Sequence, residues 1–236
     1  MSCVSDSSQP FPHIGRLKQN LNLPLDDLRR KIGIIDSSAV VYSYIINTVK
    51  NREGTFIQKG SAPNFQGDLI TLCTCKHRMR TSHDILEWNN KWIAGFSGVK
   101  AGNETNVLVY LMKIGYTFES YFDFWDTKEI SKATKYAKSA DLHRYGDIYK
   151  PKDSSADPFD YRSYVQPCKE HSHYKDAGWH KDIDYKGYKE RRHVLLAGVV
   201  DCSFLWTKPK IAYNGRLPRN SKKLELKDMI ENLNIV

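Results

Sequence analysis

The sequence predicts an α+β protein built around a curved or barrel-like antiparallel sheet with flanking helices. Segments rich in β-branched and aromatic residues indicate strands, and the clearest occupy residues 39–49, 91–97, 107–116 and 194–206. Apolar residues with helical spacing lie between the third and fourth of these segments, and a second stretch with helical spacing lies at the end of the sequence. At 236 residues without an internal repeat, the chain is expected to form one domain with appendages.

Residues 1–38 are expected to form a tail followed by accessory helices. Leu17, Leu21 and Leu28 have near-helical spacing, and Pro24 interrupts them, which predicts one or two short helices. The Ser- and Pro-rich start lacks the charged and apolar regions of a secretory signal. Five scattered cysteines do not suit a disulfide scaffold and are interpreted as reduced thiols, so a cytoplasmic location is expected.

The predicted domain occupies residues 39–206. A Gly-rich loop at residues 51–67 joins the first strand to a second strand at residues 68–74. The strands at residues 91–97 and 107–116 flank a Gly-Asn loop and are expected to pair antiparallel.

Helical spacing follows in the next part of the chain. An aromatic stripe predicts a helix packed on the sheet, formed by Phe118, Tyr121, Phe122 and Trp125. Lysines at positions 128, 132, 135 and 138 then predict an exposed helical face, either solvated or facing phosphate. Residues 153–188 are predicted to form a long irregular loop.

Residues 207–236 are expected to form a basic segment and a C-terminal helix. The helix is predicted from the spacing of Leu226, Met229, Ile230 and Leu233. Basic residues dominate the segment before it, and we predict a nucleic-acid surface formed by Lys208, Lys210, Arg216, Arg219, Lys222 and Lys223.

The overall charge favours a polyanionic partner. Lysine and arginine exceed aspartate and glutamate by 36 − 27 = 9, and the pI is about 9.2, so a nucleotide or nucleic acid is the first partner to consider. The apolar runs reach only strand length, which excludes a membrane span. Phosphate-loop, dinucleotide, nucleophile-elbow and zinc-protease motifs are absent, and no motif identifies a cofactor.

Residues 75–80 combine three permanent cations with one histidine directly after a predicted strand. Lys76, Arg78 and Arg80 suit a phosphate or a base edge, and the alternative is a solvated turn. Trp92 and Ser97 follow closely, and an aromatic ring beside cations suits a stacked base, although Trp92 also fits a packing role.

Acid–base chemistry is suggested by His171 and His173, because histidine titrates near neutral pH, and by Asp147 at a predicted turn. Cys73 and Cys75 repeat the spacing of the two histidines. The four side chains could together form a zinc site, which stays an open alternative. Closed zinc sites usually have two or more residues between paired cysteines, so we assign no metal ligand.

Six motifs together resemble the second nucleotide modification associated domain family. They are YSYIINT (42–48), APNFQGDLITLCTCKHRMR (62–80), WIAGFSG (92–98), LVYLMKI (108–114), GDIYKP (146–151) and HSH (171–173). The resemblance covers about residues 41–206 and implies a bacterial or phage protein associated with DNA base modification and conflict systems. It also implies that Tyr110 and Tyr149 belong to the site.

The strand and loop order is also similar to modified-base readers of the PUA-like class, such as EVE and YTH domains, which implies a partly closed PUA-like barrel. Our first hypothesis is therefore a protein that binds a modified nucleotide or a modified base in DNA. The alternatives are an enzyme in which His171 or His173 acts with Asp147, and an interaction subunit that uses residues 153–188 to dock a protein from the same operon. The sequence does not indicate an oligomeric state.

Overall fold

The computed structural model describes residues 15–35, 38–102, 104–142, 144–171, 178–218 and 220–236. The strands are β1 (Val40–Ile46), β2 (Val49–Arg52), β3 (Thr55–Gln58), β4 (Thr71–Leu72), β5 (Trp92–Ser97), β6 (Leu108–Phe118), β7 (Leu195–Leu205), β8 (Ile211–Tyr213), β9 (Lys222–Glu225) and β10 (Leu233–Ile235). The α-helices are α1 (Leu25–Ile35), α2 (His77–Arg80), α3 (Ile85–Trp88), α4 (Tyr121–Asp126), α5 (Lys132–Ala137) and α6 (Leu226–Glu231). Short 3-10 helices include Gly15–Asn20, Val99–Ala101, Tyr161–Ser163, Gly178–Asp182 and Tyr188–Glu190.

The main sheet has six strands in the order β4-β7-β6-β5-β1-β9. The α+β class is confirmed, and β5 and β6 form the expected antiparallel pair. The sheet is nevertheless mixed, because β1 and β5 run parallel. The chain between them is long enough for the crossover that a parallel pair requires.

The sheet is open within the described part of the chain, since its edge strands β4 and β9 do not pair with each other. A closed PUA-like barrel is therefore not confirmed. Separate two-stranded pairs are formed by β2 with β3 and by β8 with β10. The β2–β3 hairpin lies where the sequence predicted only a loop.

Both faces of the sheet are covered. Alternation along β1 places Tyr42 and Tyr44 in one core cluster, which includes Met79 of α2. Val41 and Ile45 belong to a second cluster on the opposite face, where α1 and α6 pack. Burial on both faces explains why the β1 sequence is apolar almost throughout.

The aromatic helix forms as α4, and its role in packing is confirmed by the burial of Tyr121 and Phe124. Ser120 and Asp123 make a reciprocal capping box that starts the helix. Phe118 instead ends β6.

The prediction of an exposed lysine face after α4 is wrong for two of the four lysines. Lys135 and Lys138 are buried, and the Lys135 Nζ donates to the Trp125 carbonyl oxygen over 2.6 Å. The lysines at positions 128 and 132 are exposed. Helix α5 begins only at Lys132, so the four lysines do not share one helical face.

Within the described ranges, no helix has both the length and the apolar composition needed to span a bilayer. Cys73, Cys75 and Cys202 are free thiols. Cys168 is disulfide-bonded, so the prediction of reduced thiols is wrong at that position.

Candidate functional site

A pocket of about 470 Å³ opens where β1, α2, the loop before β7 and the start of β9 meet. It contains the Lys76 to Arg78 part of the cation-rich segment that the sequence singled out. The lining residues are Tyr42, Lys76, His77, Arg78, Met79, Ser82, Tyr185, Asn220 and Ser221. The pocket therefore combines cations with the rings of two tyrosines and a histidine.

The cation-rich segment is helical, not extended. Lys76 adopts a left-handed conformation (φ 59°) directly before α2. On the short helix, Arg78 is exposed at the pocket while Met79 and Arg80 turn inward. The two arginines of this segment therefore face different surroundings, Arg78 the pocket and Arg80 the core.

Arg80 holds α2 against the core. Its side chain is fully buried, with Nε donating to the Cys75 carbonyl over 2.8 Å and Nη1 donating to the Val194 carbonyl over 2.8 Å. The Trp88 indole N–H donates to the Arg80 carbonyl over 3.1 Å. This places Arg80 behind the pocket as a positioning residue, and its predicted contact with a ligand stays a prediction.

Lys76 forms part of the pocket wall above an aromatic pair. Its Nζ lies 4.6 Å from the centroid of the Tyr44 ring, a cation–π distance. The Tyr44 hydroxyl is 2.9 Å from the hydroxyl of Tyr110. Burial raises the pKa of both phenols, so both remain neutral. Tyr110, a predicted binding residue, therefore supports the wall from behind.

His77 lines the pocket and contacts the side chains of Tyr185 and Asp182. Its ring stacks on Tyr185 with centroids 4.7 Å apart and planes 25° apart. Its Nε2 lies 2.6 Å from Oδ1 of Asp182, and Asp182 is fully buried. The second Asp182 oxygen accepts from the Tyr149 hydroxyl over 2.9 Å, and that hydroxyl is 3.2 Å from Nε2 of His171.

A polar chain thus runs from the pocket through Asp182 and Tyr149 to His171. His171 and Tyr149 are buried, so the two predicted site residues meet at the inner end of this chain. His193 lies 5.5 Å from the His77 ring, centroid to centroid. Burial lowers the pKa of His193 well below its usual value, with Arg80 and His77 adding to the effect, so His193 is neutral.

Asp147 belongs to a different buried network. It accepts from the Thr71 hydroxyl over 2.9 Å and from the Cys73 backbone N–H over 3.1 Å. Burial raises the pKa of Asp147 to about 6, and the charge of Lys138 opposes that rise. Asp147 does not line the pocket, so its predicted catalytic role stays a prediction.

Two predicted binding residues lie in the sheet. Trp92 is fully buried and is nearly parallel to Phe204, with ring centroids 6.5 Å apart, in the core cluster opposite the pocket face. Ser97 is also buried, and its hydroxyl oxygen accepts from the Val107 N–H over 3.2 Å at the β5–β6 hairpin. The position of Trp92 fits its packing alternative, and the binding roles predicted for Trp92 and Ser97 stay predictions. His173 and Arg219 lie outside the described residues.

The predicted basic surface divides into two parts. Lys208, Lys210 and Arg216 are exposed around β8. Lys222 and Lys223 lie on β9, which pairs with β1 and directly follows the pocket residues Asn220 and Ser221.

In the predicted docking loop, Trp179 is buried and contacts Tyr149, so it does not offer an exposed anchor.

Sequence reasoning overlooked His77, Asp182 and Tyr185 as site residues. His77 stood inside the cation-rich segment, so its position was a usable signal. Asp182 and Tyr185 lie about a hundred residues further along the chain, and no local pattern connects them to α2.

The fold and the pocket define an α+β protein with a cationic, ring-lined pocket beside a mixed sheet. A comparison with protein-family models matches residues 39–198 to nucleotide modification associated domain 2. Because the match covers more than half of the sequence, the chain belongs to the nucleotide modification associated domain 2 family. Membership confirms the resemblance and implies a role associated with nucleotide modification. No curated protein and no solved structure matches the chain, so the PUA-like resemblance is not confirmed.

Proposed function

We propose that this protein binds a nucleotide, or a modified base within DNA, in the pocket formed by β1, α2 and β9. The observation that carries the proposal is the placement of Lys76 and Arg78 beside the rings of Tyr42 and Tyr185 around one cavity. Its volume of about 470 Å³ falls within the roughly 300–1,000 Å³ of small-molecule sites. Membership of the family supports a nucleotide as the ligand.

Each group has a physical role in this proposal. Arg78 is exposed at the pocket and offers a planar donor fork that suits a phosphate. Tyr185 is already held in a stack with His77, so a base that stacks on this pair finds an ordered surface. Base–aromatic stacking contributes about 1–3 kcal/mol per base.

The proposed setting is a bacterial or phage DNA-modification or defence system, which is what the family resemblance implies. A PUA-like mode of base capture is part of this proposal, because the pocket carries aromatic rings on which a base can stack. The positive net charge supports a polyanionic partner.

The test is a titration with the four deoxynucleoside monophosphates, with 5-hydroxymethyl-dCMP as a modified probe, and with matching oligonucleotides at two salt concentrations. Arg78→Gln is expected to weaken binding of every phosphate-bearing ligand about tenfold or more. Arg30→Gln is the matched control, because Arg30 is exposed on α1, a helix that packs on the opposite face of the sheet. No binding of any probe by the parent protein, or equal losses in both variants, would overturn the proposal.

A second candidate is acid–base catalysis on the bound nucleotide, and the His77–Asp182 contact favours it. A buried carboxylate 2.6 Å from Nε2 orients the imidazole and stabilises its protonated form. His77 would then exchange a proton with the ligand while Asp182 orients its ring. This arrangement assigns acid–base work to His77, whereas the sequence assigned it to His171, His173 and Asp147.

Mass spectrometry of nucleotides and DNA incubated with the protein tests for turnover. His77→Gln is expected to abolish product formation, and Asp182→Asn to reduce its rate by at least about tenfold while ligand affinity changes less. Binding without product by the parent protein would eliminate this candidate and leave the binding proposal intact.

A further inference from the structure

The C-terminal segment completes the pocket from outside the family-matched region. Asn220 and Ser221 line the pocket, whereas the family match ends at residue 198. The next residues form β9, which pairs antiparallel with β1. The edge of the sheet next to the pocket is therefore built by this added strand.

The register of β9 places its two lysines on opposite faces of the sheet. Lys223 is directly opposite Tyr42, a pocket residue, and Lys222 is opposite Ser43. Directly opposed residues in an antiparallel pair point to the same face, and neighbours along a strand point to opposite faces. Lys223 therefore shares the pocket face with Tyr42, while Lys222 shares the α6 face with Ser43, whose hydroxyl contacts Met229.

The surroundings of Lys223 support this placement. The Tyr42 hydroxyl is hydrogen-bonded to Nε2 of His83. Burial lowers the pKa of His83, the positive charges of Lys91 and Lys223 lower it further, and Glu87 opposes them. The charges of Lys91 and Lys223 therefore both act on the histidine that contacts Tyr42.

The charge of Lys223 is available to a ligand. Lys223 is exposed, and among the ion pairs of the described residues it has no carboxylate partner. Glu225 follows on the same face, at the far end of β9 opposite Val40. Cross-strand neighbours lie about 5 Å apart at Cα, so the Lys223 ammonium is within reach of a phosphate adjacent to a nucleotide held beside Tyr42.

We infer that the natural ligand is a nucleotide within a single DNA strand, with its base in the pocket and a flanking phosphate on Lys223. This inference rests on the proposed function, selects the nucleotide within DNA over the free nucleotide, and assigns the flanking phosphate to Lys223. The competing role for lysines on an edge strand is protection against unwanted strand pairing. That role predicts no difference between Lys222 and Lys223 in DNA binding.

The adjacent lysines provide a matched pair of variants, Lys223→Gln and Lys222→Gln. Fluorescence anisotropy is measured over a salt series with a labelled single strand of ~12 nucleotides, within the roughly 4–16 nucleotides that single-strand sites occupy. The strand is prepared with cytosine and with 5-hydroxymethylcytosine. The corresponding monophosphates are titrated in parallel, and thermal unfolding verifies that both variants fold.

The parent protein is expected to bind the strand at least about tenfold more tightly than the monophosphates, because added phosphate contacts raise affinity. Lys223→Gln is expected to weaken strand binding roughly threefold or more and to lower the salt slope by about 0.7. Monophosphate binding should be unchanged by Lys223→Gln, and Lys222→Gln, on the α6 face, should weaken strand binding clearly less than Lys223→Gln does.

The outcomes separate this inference from the proposed function. Monophosphate binding without tighter strand binding would overturn the inference alone, as would equal effects of Lys222→Gln and Lys223→Gln. Absence of all binding would overturn both.

Discussion

Replacing Lys138 with methionine is expected to destabilise the fold by about 3–5 kcal/mol, the cost of leaving a buried charge without its partner. Lys138 and Asp147 are both fully buried. The Lys138 Nζ donates to the carbonyl and side-chain oxygens of Asn64 over 3.0 and 3.2 Å. Burial lowers the pKa of Lys138 to about 8 and raises that of Asp147 to about 6, so both groups are charged near pH 7.

The pKa of Asp147 shows how much its burial costs in the parent protein. Its value of about 6 compares with an ordinary 3.8, and each pKa unit corresponds to about 1.4 kcal/mol. Keeping Asp147 ionised in the fold therefore costs roughly 3 kcal/mol even with Lys138 present. Without Lys138 the pKa of Asp147 rises further, and the cost at neutral pH grows.

The sign of the pH dependence follows from linkage. Because the folded pKa of Asp147 is raised, the folded state binds more protons than the unfolded state between about 3.8 and 6. Stability therefore falls as pH rises through that window. In the Lys138→Met variant this pH window extends above 6. The loss of stability relative to the parent protein should therefore be larger at about pH 8 than at about pH 5.

Urea unfolding followed by circular dichroism at both pH values measures the effect. Lys132→Met is the control, since Lys132 is exposed at the start of α5, the helix that ends directly before Lys138, and is expected to change stability by less than about 0.5 kcal/mol. Adding Asp147→Asn to Lys138→Met should restore much of the loss, because neither charge then remains buried. A loss below about 1 kcal/mol, or one independent of pH, would refute the assignment of Lys138 and Asp147 as a mutually stabilising pair.

Three further substitutions test the fold around the site by denaturant unfolding. Arg80→Met removes the hydrogen-bond donors of two backbone carbonyls and should lower the free energy of unfolding by roughly 2–4 kcal/mol. Arg78→Met at the pocket rim is the control and should change it by less than about 0.5 kcal/mol. Similar losses of stability in the two variants would contradict the inward placement of Arg80. Gly95→Ala would put its Cβ 2.2 Å from the Tyr110 ring and should cost about 1–3 kcal/mol, so unchanged stability would argue against this close packing. Ser120→Ala removes the cap of α4 and should cost about 1 kcal/mol, while no loss would mean that the capping box contributes little.

The sequence by itself determined most elements and the class of the fold. Strand composition marked β1, β5, β6 and β7, and the aromatic stripe marked α4, because these signals depend on residues a few positions apart. The cation-rich segment, which the sequence also marked, lines the pocket proposed as the binding site. Such features are local, so they can be read before any folding pattern is known.

Only the tertiary structure decided which distant residues meet. The parallel pairing of β1 with β5, the approach of Asp182 to His77 and the addition of β9 beside Tyr42 each join segments far apart in the chain. The inward turn of Arg80 depends on a short helix whose position is set by Val194 and Trp88. The physical reason is that periodicity reports which face of an element is apolar, whereas the partner of that face is selected by packing and hydrogen bonding across the whole fold.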